Sequence, residues 1–306
     1  MNKVWVTGDA VVDLIPEGDA HYLKCPGGAP ANVAVAIARL GCNSAFFGRV
    51  GNDPMGRFMQ STLNDENVST EYLLLDKNQR TSTVVVDLDE HGERSFTFMV
   101  KPSADQFLSV SDIPSFKAGE WLHCCSIALA NEPSRSATLY AIKKMKDSGG
   151  FISFDPNLRD EVWSKPEEMS EVVMKAVSMA DVVKFSDDEL LFLTQTTSLE
   201  AGLATLKPLS IPLIVITQGA KGALVIQAET QTLISGTPVS PIDTTGAGDA
   251  FVGGLLRKLS FHQEWYKASV IHEAVRWANG CGALAATKKG AMTALPDEKA
   301  LLSYIS

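Results

Sequence analysis

From residue 121 onward the chain alternates short apolar, β-branched runs with longer segments of helical spacing, and nothing else in it narrows the possible folds as much. Residues 121–127, 151–155, 181–185 and 213–217 read as strands, and residues 134–147, 167–180, 269–287 and 297–304 as helices. Strands joined through helices have to run parallel, with the helices packed over both faces of the sheet. The start of the chain follows the same rule. Residues 4–8 and 44–50 read as strands, and between them residues 33–40 form an apolar helical run closed by Gly41. The expected class is α/β, three layers deep, with a mostly parallel central sheet flanked by helices.

One stretch breaks the alternation. Residues 83–88 and 94–99 are β-rich and flank the turn Asp89-Glu90-His91-Gly92, which is a hairpin signal. By the period of two, Arg94, Phe96 and Phe98 share one face of the second strand, and Ser95 and Thr97 the other. A hairpin set into an α/β chain reads as a lid, completed by a strand from residues 10–25, whose closure excludes water. No Ser-, Pro- or charge-rich linker divides the 306 residues. We therefore expect a single domain over residues 1–306, with a discontinuous β lid from about residues 10–25 and 80–102 inserted in it.

Polar clusters fall at one recurring place. The segments 9–13, 51–53, 155–159, 186–189 and 218–222 each follow the C-terminal end of an expected strand. Ligand sites of open α/β sheets lie at that edge. In the first cluster Asp13 is an acceptor-only side chain that can hold two hydroxyls of a sugar, or else a surface turn acid.

The most specific stretch is Asp243-Thr244-Thr245-Gly246-Ala247-Gly248-Asp249-Ala250-Phe251, which runs into the apolar segment 252–259. Gly246 and Gly248 allow successive N–H groups to turn toward one point at a helix N-terminus, which makes an anion site. Asp249 beside it reads as a general base that takes a proton from a substrate hydroxyl while the N–H groups stabilise a phosphoryl group in transit. No G-x-x-x-x-G-K-[ST] occurs, so this is not a P-loop kinase, and the H-R-D and D-F-G motifs of protein kinases are missing as well.

This stretch resembles the second signature of the ribokinase, or PfkB, family of carbohydrate kinases, whose other motifs appear here in the family's order from Gly8-Asp9 to residues 290–296. Gly27-Gly28-Ala29-Pro30-Ala31-Asn32 resembles the first signature, Gly51-Asn52-Asp53-Pro54-Met55-Gly56 a G-x-D-x-x-G, and Asp155-Pro156-Asn157-Leu158-Arg159 the family's D-P-N-x-R. Ser186-Asp187-Asp188-Glu189 is similar to N-x-x-E, with Ser where Asn is usual.

The resemblance implies a ribokinase-like fold and a set of roles. Gly28 and Asn32 line the sugar site with Asp13, and Phe98 covers the sugar or packs within the lid. Arg159 stabilises phosphoryl charge or binds a substrate oxygen, unless it pairs with its neighbours Asp160 and Glu161. The backbone of Gly246, Ala247 and Gly248 forms the anion hole. ATP falls to Ser186, Glu189, Thr217, Gly219, Lys221, Gly222, Gly248 and Asn279, with Glu189 acting on Mg²⁺ through water. The alternative is that residues 187–189 merely cap the helix that follows. Asp243, Thr245, Ala285, Lys288 and Gly290 match positions that hold a monovalent cation in many relatives, and the sequence neither confirms nor excludes K⁺ here.

Within the family the chain is most similar to the bacterial members that act on fructose, in the segments 23–29, 153–159 and 289–296. The implied reaction is ATP-dependent phosphorylation of D-fructose at O6. A kinase for aminoimidazole riboside or another riboside shares these segments. A sugar- or nucleotide-binding sensor that has lost catalysis is the alternative of a different class. The resemblance also implies a homodimer formed through the lids.

Composition limits the partners. A net charge of −9 without clustered Lys and Arg disfavours nucleic acid and anionic membranes. The five cysteines show no C-x-x-C spacing and the five histidines no metal-ligand spacing, so reduced thiols and no zinc site are expected. Asn2-Lys3 passes at once into Val4-Trp5-Val6 without an apolar targeting segment, and no run approaches the length of a membrane span; a cytoplasmic protein is expected.

Overall fold

The computed structural model describes residues 2–18, 20–88 and 94–305. The turn expected at residues 89–92 and the side chains of Arg94 and Phe96 lie outside that description. The chain opens with β1 (Val4–Thr7), β2 (Val11–Glu17), β3 (His21–Gly27), α1 (Ala29–Arg39), β4 (Ser44–Gly51), α2 (Pro54–Asp65) and β5 (Ser69–Asp76). The hairpin β6 (Thr83–Leu88) and β7 (Arg94–Phe98) follows. The regular alternation then runs through β8 (Trp121–Cys125), α3 (Ser134–Asp147), β9 (Phe151–Asp155), α4 (Met169–Met179), β10 (Val182–Ser186), α5 (Asp187–Thr194), α6 (Leu199–Leu206) and β11 (Leu213–Thr217). It closes with β12 (Gly222–Gln227), β13 (Thr230–Ser235), α7 (Ala247–Leu259), α8 (Ala268–Ala286) and α9 (Glu298–Ile305).

The main sheet has the order β13-β12-β11-β10-β9-β8-β1-β4-β5. Its strands are parallel from β11 to β5, and β12 and β13 are antiparallel additions at one edge. Side chains alternate between two cores. Val4 and Val6 pack with α1, α7 and α8 on one face, while Trp5 packs with α3 and α4 on the other. Burial on both faces is why these strands are continuous apolar runs.

The strand expected over residues 121–127 ends at Cys125. Ser126 leaves the ladder because its N–H and hydroxyl donate to the carbonyls of Pro156 and Asn157, which ties the loop after β8 to the loop after β9. The segment expected to give the lid one strand gives two. β2 pairs antiparallel with β3 and parallel with β6, and with β7 they form a separate four-stranded sheet of order β3-β2-β6-β7. Among the described residues no helix is long and apolar enough to cross a membrane.

Candidate active site

The site is built where the carboxyl edge of the sheet meets the N-terminus of α7. Parallel pairing sets Val182 beside Ser153 and Val183 beside Phe154, so the next pair along β10 and β9 is Lys184 and Asp155. Phe154, Val183 and Phe185 fill the core on the α3 and α4 side. Period-two alternation turns Asp155 and Lys184 to the opposite face, toward α7. Lys184 Nζ donates to both carboxylate oxygens of Asp155 at 3.1 Å and lies 3.7 Å from Glu189 Oε2. Burial alone would lower the lysine's pKa, but the fields of Asp155 and Glu189 win and raise it, so the group is an ammonium. Burial pushes the Asp155 carboxyl upward against the pull of that ammonium.

Gly246 caps α7 with φ of 75°, in the left-handed region, and a Cβ there would come within 2.9 Å of Ala291 Cα. In the first turn Ala247 N–H donates to the Thr244 carbonyl at 3.1 Å and Ala250 N–H to that of Gly246 at 2.9 Å, so Ala247 is already engaged and the N–H groups of Gly248 and Asp249 between them are the anion donors at the helix start. Asp249 stands in that turn. Asn32, buried in α1, donates Nδ2–H to Asp249 Oδ2 at 2.8 Å, which joins the two glycine-rich segments through one hydrogen bond. Burial raises the Asp249 carboxyl above the ordinary range, while Asn32, Lys184 and Arg159 pull it back. It is an ionisable base that is neither fully solvated nor locked in an ion pair.

Two cavities meet here. One of about 390 Å³ takes in Asp13, Gly28, Asn32, Phe98, Arg159, Gly246 and Asp249. The other, of about 330 Å³, takes in Thr217, Gly219, Gly222, Ala247 and Asn279. Thr244 and Gly248 line both. The acceptor-side and nucleotide-side residues expected from the sequence thus fall into two adjoining spaces with the helix N-terminus between them. Phe98 pairs with Val84 across the lid hairpin, and both border the first cavity. Arg159 is exposed, and its Nη1 donates to the carbonyl of Leu158 at 2.7 Å.

Some expected residues fall elsewhere. Lys221 is exposed and outside both cavities. Ser186 and Glu189 line neither; they form a capping box, in which Glu189 N–H donates to Ser186 Oγ at 3.2 Å and Ser186 N–H donates to Glu189 Oε2 at 2.8 Å. Asn279 reaches the second cavity, yet its Nδ2 is engaged with the carbonyls of Ile234 and Ser235 on β13. The positions considered for a monovalent cation do gather. Asp243 Oδ1 accepts from Thr245 N–H and hydroxyl, its Oδ2 accepts from Gly290 N–H, and its own N–H donates to Ala286 at the end of α8. The Ala285 carbonyl accepts from Lys288 N–H in the same bend, and the Lys288 side chain is exposed.

Lys184 and Asp9 also line the first cavity, although neither was given a role from the sequence. Lys184 hid inside an apolar strand, where a single cation among Val182, Val183 and Phe185 was the available signal. Asp9 is buried, its Oδ1 has no hydrogen-bond partner among the described residues, and burial together with Asp105 pushes its carboxyl up to about 7. Its signal was an acid immediately after the first strand.

The sequence matches the pfkB family carbohydrate kinases over residues 1–298. It is 67% identical over 305 residues to a fructokinase of Vibrio alginolyticus, covering 100% of this chain and 99% of that one. Among solved structures, a double mutant of the Vibrio cholerae O395 fructokinase in its fructose-, ADP- and potassium-bound form superposes with a TM-score of 0.97 at 67% identity, covering 100% of this chain and 99% of that one. The aminoimidazole riboside kinase of Salmonella enterica, complexed with aminoimidazole riboside and an ATP analogue, superposes with a TM-score of 0.93 at 42% identity and covers 100% of both chains. An acid at a glycine-rich helix start between two cavities, over a match that spans nearly every residue, leads to one statement: the chain belongs to the pfkB family of carbohydrate kinases.

Proposed function

We propose that this protein transfers the γ-phosphoryl group of ATP to O6 of D-fructose. The observation that carries the reading is the pair of cavities joined at Thr244 and Gly248, with Asp249 on one side and the open first turn of α7 between them. The fructose assignment is supported by the 67% identity to a fructokinase over the whole chain. In the reaction Asp249 takes the proton of the sugar hydroxyl, the new O–P bond forms at that oxygen, and the bond to the departing ADP breaks with its electron pair leaving on ADP. The N–H groups of the anion hole stabilise charge on the moving phosphoryl group, and Asn32 keeps the base aimed. Asp13 and Gly28 hold the sugar, and Arg159 supplies a planar cation at the mouth. Phe98 and the lid exclude water.

Among the described residues no group of three or more His, Cys, Asp or Glu could cage a metal. A divalent ion would come with the nucleotide, and Glu189, 3.7 Å from Lys184, would act on it through water. When bound, Mg²⁺ would neutralise charge on the phosphates of the nucleotide. K⁺ would sit at the junction that Asp243 organises, held by carbonyls around Thr245, Ala285, Lys288 and Gly290.

A riboside acceptor is the second reading. A further cavity of about 430 Å³ shares Phe98 and Glu161 with the acceptor cavity and gives room for a substituent on the sugar. A sensor needs no base, and Asp249 argues against it. We read the chain as one domain with the lid inserted near residues 10–25 and 80–102, acting in the cytoplasm, where ATP is supplied and the buried thiols Cys42, Cys124, Cys125 and Cys281 stay reduced. We read the enzyme as a homodimer through the lids. The deciding experiment is ADP release with Mg²⁺ and ATP, comparing D-fructose, ribose, 2-keto-3-deoxygluconate and aminoimidazole riboside. The highest kcat/KM is expected for fructose. A higher value for the riboside overturns the substrate, and intact ATP binding without any turnover overturns the kinase reading.

A further inference from the structure

Asn131 borders neither the acceptor cavity nor the nucleotide cavity; it stands in the bend between β8 and α3, on the further cavity of about 430 Å³. Its backbone is fixed. The Asn131 carbonyl accepts from Arg135 N–H at 2.8 Å, and the Arg135 guanidinium holds the two carbonyls just before it, those of Leu129 at 2.8 Å and Ala130 at 3.0 Å. A short side chain on such a mount has little freedom, and this one engages both its nitrogen and its oxygen. Nδ2 donates to the Val162 carbonyl at 2.8 Å and to Gln106 Oε1 at 2.9 Å, and Oδ1 accepts from Ser164 N–H at 3.0 Å. A backbone carbonyl can only accept and a backbone N–H can only donate, so Val162 and Ser164 set which way the amide points. Gln106 is set from its other end, because its Nε2 donates to the Asp105 carboxylate and turns Oε1 toward Asn131.

What these bonds join matters more than their number. Val162 and Ser164 belong to the loop that carries Arg159, and before the arginine the same loop is held at the Asn157 carbonyl by Ser126 Oγ at 3.2 Å. Segment 126–131 thus grips the loop on both sides of Arg159. The guanidinium's own bond goes to the carbonyl of its neighbour Leu158, which moves with it and fixes nothing relative to Asp249. Gln106 lies in the turn Ala104–Phe107 at the foot of the lid, and from the same foot Lys101 Nζ donates to the Glu161 carbonyl in the Arg159 loop. We propose that Asn131 is a positioning residue for the acceptor site, which fastens the Arg159 loop to the foot of the lid and so holds the guanidinium at the cavity mouth. This rests on the sugar-kinase reading and deepens it. Asn131 touches no substrate in this role; it acts through the arginine.

The competing explanation is that Asn131 only satisfies two backbone groups of a surface loop, so that its loss costs stability and nothing else. Four full-length proteins separate the two: wild type, N131D, R159A and the N131D/R159A double variant. An aspartate keeps the size of the side chain but sets a carboxylate oxygen, with no hydrogen to give, against the Val162 carbonyl and Gln106 Oε1. For each protein we would measure kcat/KM for fructose, thermal stability, and affinity for ADP by calorimetry. N131D is expected to lower kcat/KM by about 10- to 10²-fold, the upper end being the cost of displacing a positioned group by about 1 Å, with ADP affinity unchanged. The double variant should be no slower than R159A alone, because no guanidinium is left to misplace. Where N131D fails to fold, N131S, which keeps one hydroxyl for Ser164 N–H, completes the same cycle with a smaller loss.

A wild-type kcat/KM in the Asn131 variant, whatever its thermal stability, overturns the proposal. A loss that is equally large with and without Arg159 overturns it as well, since the effect would then run through another group, and so does a fall in ADP affinity that matches the fall in kcat/KM. Wild type that does not phosphorylate fructose removes the substrate reading instead, and the cycle is then decided on the acceptor that it does phosphorylate.

Discussion

Asp249, which is half-buried, and Asp9, which is buried, are acids of one cavity, and they differ in what holds them. Asp249 has Asn32 on one oxygen and two cations in its field. Asp249→Ala is expected to leave ATP affinity largely intact and to lower kcat by about 10²- to 10⁴-fold, the ordinary worth of a general base; turnover near wild type would remove Asp249 from that role. Because burial raises its carboxyl, kcat/KM should fall on the acid side at a pH above the usual carboxylate range. Asp9 lacks a partner for Oδ1 among the described residues and is pushed from 3.8 to about 7. A carboxyl whose folded pKa exceeds its unfolded value binds more protons when folded, so its contribution to stability is full below 3.8 and is lost as pH rises through about 7. Asp9→Asn should therefore gain on wild type as pH rises, by as much as about 4 kcal/mol in the unliganded protein at alkaline pH. Urea unfolding at acid and alkaline pH checks this, and an equal difference at both would show that charging Asp9 costs nothing. Neither environment was legible in the sequence. Gly8-Asp9 and Gly248-Asp249 look alike as strings, and it is the neighbours from α1 and β10 that distinguish them.

Elements explain how the two glycine-rich segments come together. α1 and α7 cross where Gly253 meets Ala36: a Cβ at 253 would come within 2.4 Å of the Ala36 Cβ. That closeness is what allows Asn32 to reach Asp249. Gly253→Ala improves helix propensity by about 1 kcal/mol, but overpacking a buried contact costs about 1–3 kcal/mol, and pushing α1 off α7 lengthens the Asn32 hydrogen bond. We expect a lower Tm and a lower kcat together; a higher Tm with unchanged turnover would mean that the helices have room to spare. The helices themselves were readable from spacing, and the expected residues 134–147 and the observed Ser134–Asp147 coincide. The capping box of α5 shows the opposite case. Ser-Asp-Asp-Glu fits a cap and a phosphate loop equally well as a string, and the hydrogen bonds between Ser186 and Glu189 were needed to show that a cap is formed.

At the scale of the whole molecule, the lid leaves an edge. β3 is the outer strand of its sheet, and Tyr22 and Leu23, which point to opposite faces, are 56% and 51% exposed. An unpaired edge strand that carries large apolar side chains on both faces invites a second copy. Sedimentation at micromolar concentration is expected to show a dimer, and Tyr22→Glu to shift it toward monomer; a wild-type monomer would count against lid pairing. The Phe96 side chain lies outside the described residues, and the exposed apolar edge of the lid is that of β3. The antiparallel strand β13 at the far edge was not legible, because it is largely exposed and mixes polar with apolar residues; its neighbour β12 carries the apolar run 223–226 and packs Ala223 and Val225 into the core.

What the sequence determined by itself is the alternation of strands and helices through most of the chain, the parallel sheet that alternation requires, and the motifs at the strand ends; β5, α6, β12 and β13 were not among the elements read. Periodicity and glycine placement are local properties, and a local pattern is enough to specify them. Tertiary structure decided which polar residues share a space and what charge they carry. Lys184 became part of the site through the register of β9 and β10 and the face on which α7 lies, and Asp9 was driven upward by burial and by the field of Asp105, nearly a hundred residues away along the chain. Desolvation and Coulomb fields depend on distance in space rather than along the chain, so only the folded arrangement sets them.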